Sequence, residues 1–374
     1  MKTENNANPG KPVYDVISFK ISRKCGGLFM FKSIQIVFNA LGYLMCSMSI
    51  LVLSGCAGVY TSDHPLDQKI LDTTDGKYIS ESETNNLIAS ADVVYLGEVH
   101  DNPWHHQIQL DVIRTLVASG RKPAVGMEMF SNSQTSHLMA FADGFVRPDN
   151  AGNVSNKKQR QLRKQLGWGK ERDQEWAAYY PLMQQAGESG LPLFGIDLPA
   201  GIRRRITRVG LENLSPVEQR LITRTGFDNS TYQQVMYEEF TRGHCGWNDP
   251  ALLQKLYQTW IARNDAMATA ISDMLSTTEN RPVIIIVGNG HTRHNMGVYE
   301  RVLSLEPGVR QINIGLTPVQ QQKHAFEDYI ERVRVDDDGP RPAHELIWFT
   351  PSVDKEDPCI KYREQLKKHA RAAS

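Results

Sequence analysis

Four short aliphatic segments constrain the fold of this chain more than any other feature, and each is followed within four residues by an acid or a histidine. They span residues 93–96, 124–127, 191–196 and 283–287. Their side chains are apolar on both faces, as in parallel strands that helices cover on both sides. The chain therefore predicts an α/β fold with a parallel-sheet core and flanking helices.

The stretches between these segments carry helical periodicity. Residues 103–119 place two apolar stripes on one wide face, and residues 201–276 are mostly helical, with a long helix over 253–275. Asn264 interrupts the apolar face of that helix, either as a satisfied core amide or as a site residue. A fifth strand is expected at 311–315 and an edge strand at 346–349.

The expected organisation divides the chain into four consecutive parts. They are a leader over residues 1–55, a tether over 56–90 with a short strand at 77–79, an α/β domain over 91–320 with a helical insertion at about 203–280, and a C-terminal extension over 321–374 that ends in a basic helix.

The leader carries a targeting pattern. Basic residues precede an apolar stretch over 40–53, which ends in Leu53-Ser54-Gly55-Cys56. This resembles a bacterial lipobox, so we expect a lipoprotein anchored to a membrane through lipid on Cys56; an uncleaved anchor helix is the alternative. Ala57, rather than an aspartate, follows the cysteine, which favours the outer membrane. Either Met1 or Met30 can serve as the start.

Charge and cysteine usage exclude several classes of protein. The formal net charge is zero, and no nucleic-acid-binding motif is present, so we expect no nucleic-acid partner. The five cysteines include no CxxC pair, which excludes a zinc ribbon and a dense disulfide framework. An extracytoplasmic setting permits a bridge between Cys245 and Cys359.

The predicted strands end in acids and imidazoles, namely Glu98, His100, Glu128, Asp197 and His291. Because parallel strands end at one edge of a sheet, we expect these side chains to converge there. Glu98, His100 and His291 could ligate a divalent metal or activate water. In the alternative, Glu98 supports a helix N-terminus and His100 is a hydrogen-bonded loop residue.

Two of these acids also have structural interpretations. Glu128 follows a buried methionine, so its carboxylate needs a partner, and Arg114, Arg121 or His291 could supply one. Asp197 precedes Leu-Pro and could equally be a helix N-cap.

A second set of candidates suits haem. Tyr179 and Tyr180 could be core aromatics, although a phenolate oxygen is a hard ligand for ferric haem. His244 lies in a loop between glycines, as a pocket edge, a ligand or part of a helix turn. Arg203 opens a run of three arginines, which is either a solvated face or a partner for haem propionates.

Several ordered motifs together resemble the ChaN family of haem-binding lipoproteins, which is similar to the wider group of Tiki and TraB proteases and erythromycin esterases. These motifs are YLGEVH with HH and Gln109 downstream, GMEMF, YYPL, HCG, ARNDAMA and VGNGH, within residues 91–315. The resemblance implies a membrane-displayed lipoprotein of haem or iron acquisition, with an outer-membrane haem receptor as partner. It also implies haem ligation by Tyr179 or Tyr180, with a homodimer as one arrangement.

The wider group implies a different use of the same strand ends. By that resemblance Glu98, His100, Glu128 and His291 form a hydrolytic or metal site. Many relatives have asparagine at the position of Asp197, so the resemblance does not imply a metal role for Asp197. We therefore expect a haem-binding uptake lipoprotein, with a metal-dependent hydrolase as the alternative and a partner-binding lipoprotein as a third class. Whether the chain is an enzyme stays open.

Overall fold

An eight-stranded sheet forms the centre of the protein, in a computed structural model that describes residues 63–145, 151–227, 229–336, 339–353 and 359–360. The strands of the sheet are β1 (Ile70–Asp72), β2 (Lys77–Ile79), β3 (Val93–Glu98), β4 (Ala124–Ser131), β5 (Leu193–Asp197), β6 (Val283–Gly288), β7 (Gln311–Pro318) and β10 (Leu346–Thr350). A separate antiparallel pair consists of β8 (Arg332–Arg334) and β9 (Pro340–Pro342).

The strand order in the sheet is β2-β1-β10-β7-β3-β6-β4-β5. All neighbours from β10 to β5 are parallel, whereas β1 and β2 run antiparallel to their neighbours. The four strands predicted from the aliphatic segments are adjacent and parallel, which confirms the parallel α/β core. Residues 346–349 do not form the predicted edge strand, because β1 and β2 extend the sheet beyond β10.

The helices are α1 (Glu81–Ser90), α2 (Pro103–Ala118), α3 (Thr135–Asp143), α4 (Ala151–Gln165), α5 (Asp173–Glu188), α6 (Ala200–Val209), α7 (Pro216–Gln219), α8 (Ser230–Gly243), α9 (Pro250–Thr277) and α10 (Val298–Leu305). No helix among the described residues is long and apolar enough to span a membrane. The leader, Cys56 and most of the expected basic terminal helix lie outside the described residues.

The two faces of the sheet are covered by different helices. Alternating residues of β6 show this division: Ile286 packs with Leu110 of α2 and Leu182 of α5, whereas Ile285 packs with Met267 of α9. Every residue of β3, β5 and β6 is buried, as expected for strands covered on both sides. The strand ends therefore open at a single edge, between helices that approach from both faces.

The described chain also shows where the expected domain limits differ from the fold. Strands β1 and β2 and helix α1 lie within the stretch expected to be a tether, and β10 lies within the expected C-terminal extension. The short strand expected at 77–79 is β2. The sheet thus includes residues on both sides of the 91–320 range.

Candidate functional site

The loop between β3 and α2 is fixed by three hydrogen bonds. Asn102 caps α2 by accepting a hydrogen bond from the Trp104 backbone N–H, with Pro103 at the first helical position. The Val99 backbone N–H donates to Nδ1 of His105 at 2.9 Å, and the Asn102 side chain donates to the Pro351 carbonyl. His100 therefore extends from a loop whose backbone is held on both sides.

The buried carboxylate of Glu98 is surrounded by donors. It accepts hydrogen bonds from the Tyr179 hydroxyl at 2.5 Å, from His100 Nδ1 at 2.8 Å and from Gln109 Nε2 at 2.7 Å. Nε2 of His106 lies 3.4 Å from the same carboxylate. Burial alone raises the pKa of Glu98, but the imidazoles of His100 and His106 outweigh it and lower this pKa to about 2.

Glu128 joins the same cluster from β4. Its carboxylate accepts the Gly288 backbone N–H at 2.6 Å and a guanidinium N–H of Arg263 at 2.5 Å. The Nε2 atoms of His291 and His100 lie 3.6 and 3.8 Å from it. Burial opposes ionisation, yet the charges of Arg263 and His100 and the Gly288 N–H hold the pKa of Glu128 far below its usual value. The structural partner of this acid is thus Arg263, beside His291, rather than Arg114 or Arg121.

His291 is buried and oriented by an amide. Its Nδ1 lies 3.0 Å from Oδ1 of Asn264, and because an amide oxygen only accepts, Nδ1 carries the proton. Burial and the charge of Arg263 lower the pKa of His291 to about 3, so the ring is neutral at pH 7. The neutral ring presents an unprotonated Nε2 on the side of Glu128. Asn264 is therefore both a bonded core amide and a support of the site.

Asp197 holds two arginines at the rim. Its carboxylate accepts Arg203 Nη1 at 2.6 Å and two N–H groups of Arg263 at 3.0 and 2.9 Å. Oδ1 of Asp197 also accepts a hydrogen bond from the backbone N–H of Leu198. The N-cap residue of α6 is Pro199. The N-cap interpretation of Asp197 is wrong, since this acid binds arginines instead.

These contacts join the predicted acids and imidazoles into one cluster, the strand-end rim, which comprises Glu98, His100, Glu128, Asp197 and His291. Arg263 of α9 links Glu128 to Asp197, and the sequence analysis did not single it out. Its only sequence signal is its place before Asn264 in the ARNDAMA motif. The convergence expected for parallel strand ends is confirmed.

His100 is the member of the rim that is open to solvent, with a side chain 54 % exposed. Although burial lowers the pKa of its ring, the hydrogen bond to Glu98 and the charge of Glu128 raise this pKa to about 9. The imidazole is therefore protonated at neutral pH, between two ionised carboxylates. It borders a cavity of about 350 Å³ that is lined also by Asp101, Glu128, Met129, Arg172, Glu175, Tyr179 and Arg203.

The residues predicted to bind haem separate into two groups. Tyr179 and Arg203 line the cavity, but the buried Tyr179 hydroxyl donates to Glu98, and burial together with that charge raises the pKa of the phenol far above its usual value. Tyr180 instead stacks its ring on Trp176 at 5.7 Å within a hydrophobic cluster. His244 follows α8 and does not line the cavity.

The predicted divalent-metal site finds no support in the described part of the chain. No group of three or more histidine, cysteine, aspartate or glutamate side chains there is placed to hold a metal ion.

The fold and the rim define an α/β protein with a ligand cavity at the carboxyl ends of parallel strands. The family model described as "Haem-binding uptake, Tiki superfamily, ChaN" matches residues 86–302, more than half of the sequence, and the chain belongs to this family.

One solved structure with a TM-score above 0.5 supports the fold. A structure titled for cofacial haem binding to ChaN of Campylobacter jejuni is similar with a TM-score of 0.55 and 17% identity, over 77% of this chain and 98% of that one. An erythromycin esterase in its open conformation matches with a TM-score of 0.40 and 14% identity, over 74% of this chain and 94% of the esterase. No curated protein sequence matches this chain significantly.

Proposed function

We propose that this protein binds haem at the strand-end rim and takes part in haem or iron uptake, as a lipoprotein held to the outer membrane by lipid on Cys56. The observation that carries the proposal is the match to the haem-binding family over the residues that build the rim and its cavity. Partners of this function are haem itself, an outer-membrane haem receptor and a second copy of the chain.

The cavity has the groups that a haem needs. Met129 and the ring of Tyr179 supply apolar contacts, and Arg172 and Arg203 supply positive charge for the propionates. Among the wall residues that carry atoms able to bind iron, the two candidates from the sequence are His100, through its exposed imidazole, and Tyr179, through its phenol oxygen. Binding by His100 requires loss of its proton, and binding by Tyr179 requires loss of the hydrogen bond to Glu98.

A hemin titration tests the proposal. We expect the mature protein to give a saturable Soret band, and we expect substitution of the iron ligand to weaken binding about tenfold or more. His100→Ala and Tyr179→Phe separate the two candidates, and Tyr180→Phe is the matched control for a tyrosine packed away from the cavity. A titration that leaves the hemin spectrum unchanged would remove the proposal.

The anchor and the compartment need a separate test. The Cys245–Cys359 disulfide supports an oxidising, extracytoplasmic compartment, because such bonds are rare in the cytosol. We expect radiolabelled palmitate to be incorporated into the chain in outer-membrane fractions and to be lost in Cys56→Ser. Labelling that persists in Cys56→Ser would contradict the assigned lipid site.

The rim also supports hydrolysis as a second function. A protonated His100 and the carboxylate of Glu128 line one cavity, and a neutral His291 lies behind Glu128. The rim thus holds a proton donor beside groups able to accept a proton, as acid–base catalysis requires. Ester hydrolysis lost in both His100→Gln and His291→Gln would favour this function. Metal analysis of protein purified without chelator tests the metal-dependent form, for which about one zinc, manganese or iron per chain is expected.

A further inference from the structure

A second cavity, which we call the arginine groove, adjoins the one beside His100. It has a volume of about 490 Å³, and Arg203 lines both cavities. Its walls consist of Ala200, Thr207, Thr259 and four arginines, at positions 203, 204, 208 and 263. Among the described residues no carboxylate lines the groove. Asp197 and Glu128 pair with Arg203 and Arg263 from outside its lining, and Arg204 and Arg208 leave the groove with a net positive charge.

The four arginines form an inner and an outer pair. The inner pair, Arg203 and Arg263, is fixed by Asp197, which accepts hydrogen bonds from both guanidiniums. Each guanidinium has five N–H donors, and these contacts use only some of them. The inner pair is therefore positioned before any ligand arrives and keeps donors for it.

The outer pair, Arg204 and Arg208, lies one turn apart on α6, on a single helix face. Both side chains are exposed, and neither forms a salt bridge with any described residue. Arg205, between them in sequence, differs because it binds Glu218 at 2.8 Å and does not line the groove. The run of arginines thus divides into residues that face the groove and one that is already paired.

We propose that the arginine groove is the subsite for the carboxylates of the tetrapyrrole, whose ring system occupies the adjoining cavity beside His100. The inference rests on the proposed haem binding and names what recognises the charged end of the ligand. A guanidinium binds a carboxylate through two parallel N–H donors, and four of them around one groove select a ligand with more than one carboxylate. A free phosphate or small dicarboxylate shares this chemistry but leaves the cavity beside His100 empty.

The test compares hemin with hemin dimethyl ester, which lacks the two negative charges. The full mature chain is titrated as wild type, as Arg204→Ala/Arg208→Ala and as Arg205→Ala, the matched control from the same helix. We expect wild type to bind hemin about tenfold or more tightly than the ester. The double variant should lose that preference, whereas Arg205→Ala should keep it. The double variant should have the wild-type thermal unfolding midpoint, because Arg204 and Arg208 are exposed and form no salt bridge with any described residue.

The outcomes separate this inference from the proposed function. Hemin binding without preference over the ester, or with a preference that survives in the double variant, would overturn the subsite while haem binding stands. Binding of neither porphyrin would remove haem binding itself. Calorimetry with inorganic phosphate tests whether the groove binds a different anion. If the wild type bound phosphate but not hemin, and the double variant lost phosphate binding, the groove would belong to that anion and the proposal would be wrong.

Discussion

Protonation of His100 makes the stability of the protein depend on pH. Glu98 and Glu128 raise the pKa of its ring to about 9 from an ordinary value of 6.5. A raised pKa in the folded state contributes stability that is fully present below pH 6.5 and is lost as the pH rises through about 9. Since the side chain is half exposed, solvent screening keeps this contribution modest.

We therefore expect the free energy of unfolding to fall between about pH 6.5 and 9, with His100→Gln removing part of that fall. Urea unfolding at several pH values measures it. His137→Gln, on helix α3 and outside the rim, is the control substitution. A His100→Gln profile parallel to that of wild type would contradict the assignment.

Substitution of Tyr179 tests how much a single hydroxyl group in the rim contributes to the stability of the protein. Its O–H donates to a buried, ionised carboxylate, so Tyr179→Phe keeps the ring and leaves Glu98 with one donor fewer. We expect a loss of about 1.5–3 kcal/mol in the free energy of unfolding at pH 7, the usual range for a hydrogen bond to a charged group. Urea unfolding that matches wild type would show that water replaces the hydroxyl.

Some residues of the site could be predicted from the sequence and others could not. The acids and imidazoles were predictable, because each one lies within three residues of the carboxyl end of a core strand, and parallel strands end at one edge. Arg263 was not, because it is 66 positions from Asp197 and reaches that edge from a helix packed on the sheet. The hydrogen bond between Tyr179 and Glu98 could not be predicted for the same reason, because Tyr179 reaches Glu98 from helix α5.

At the scale of elements, the pairing of β4 with β5 depends on one glycine. A Cβ on Gly195 would lie 2.2 Å from the Ser131 carbonyl oxygen, where the register of the two strands shifts. Because the obstacle is backbone, we expect Gly195→Ala to lower the free energy of unfolding by about 3 kcal/mol or more. Denaturant unfolding or the yield of soluble protein measures this loss.

Gly201, on helix α6, provides the matched control. A Cβ there meets nothing within 4 Å, so alanine should raise the free energy of unfolding by about 0.5–1 kcal/mol. If Gly195→Ala were as stable as Gly201→Ala, the close approach of β4 and β5 would be wrong.

Elements were predictable where the local pattern was strong. The four core strands have continuous aliphatic runs, and a capping box formed by Ser215 and Glu218 starts helix α7. Strand β2 was expected as an isolated short strand, but β1 has only three residues, too few for a period, and belongs to the sheet through distant pairing with β10. For this reason residues 70–79 resembled a tether and residues 346–349 an edge strand.

At the scale of the whole molecule, one covalent bond joins the turn after α8 to the C-terminal segment. Cys245 and Cys359 are 114 positions apart, and the sequence permitted this pairing without selecting it. Two cysteines so far apart have no local pattern that links them, and only the folded chain brings their Cα atoms to 5.4 Å. The bond ties the helical insertion to a region beyond the last strand of the sheet.

A bond that closes so long a loop restricts the unfolded chain more than the folded one. In the chain-entropy model a loop of about 100 residues corresponds to about 4.7 kcal/mol, an upper limit for the loss when the bond is removed. We expect Cys245→Ala, Cys359→Ala and the double variant to lose the same stability in guanidinium unfolding, because either substitution breaks the one bond. Wild type unfolded with a reducing agent should match all three. If the two single losses added up in the double variant, each cysteine would stabilise the fold by its own packing, and the bond would contribute little.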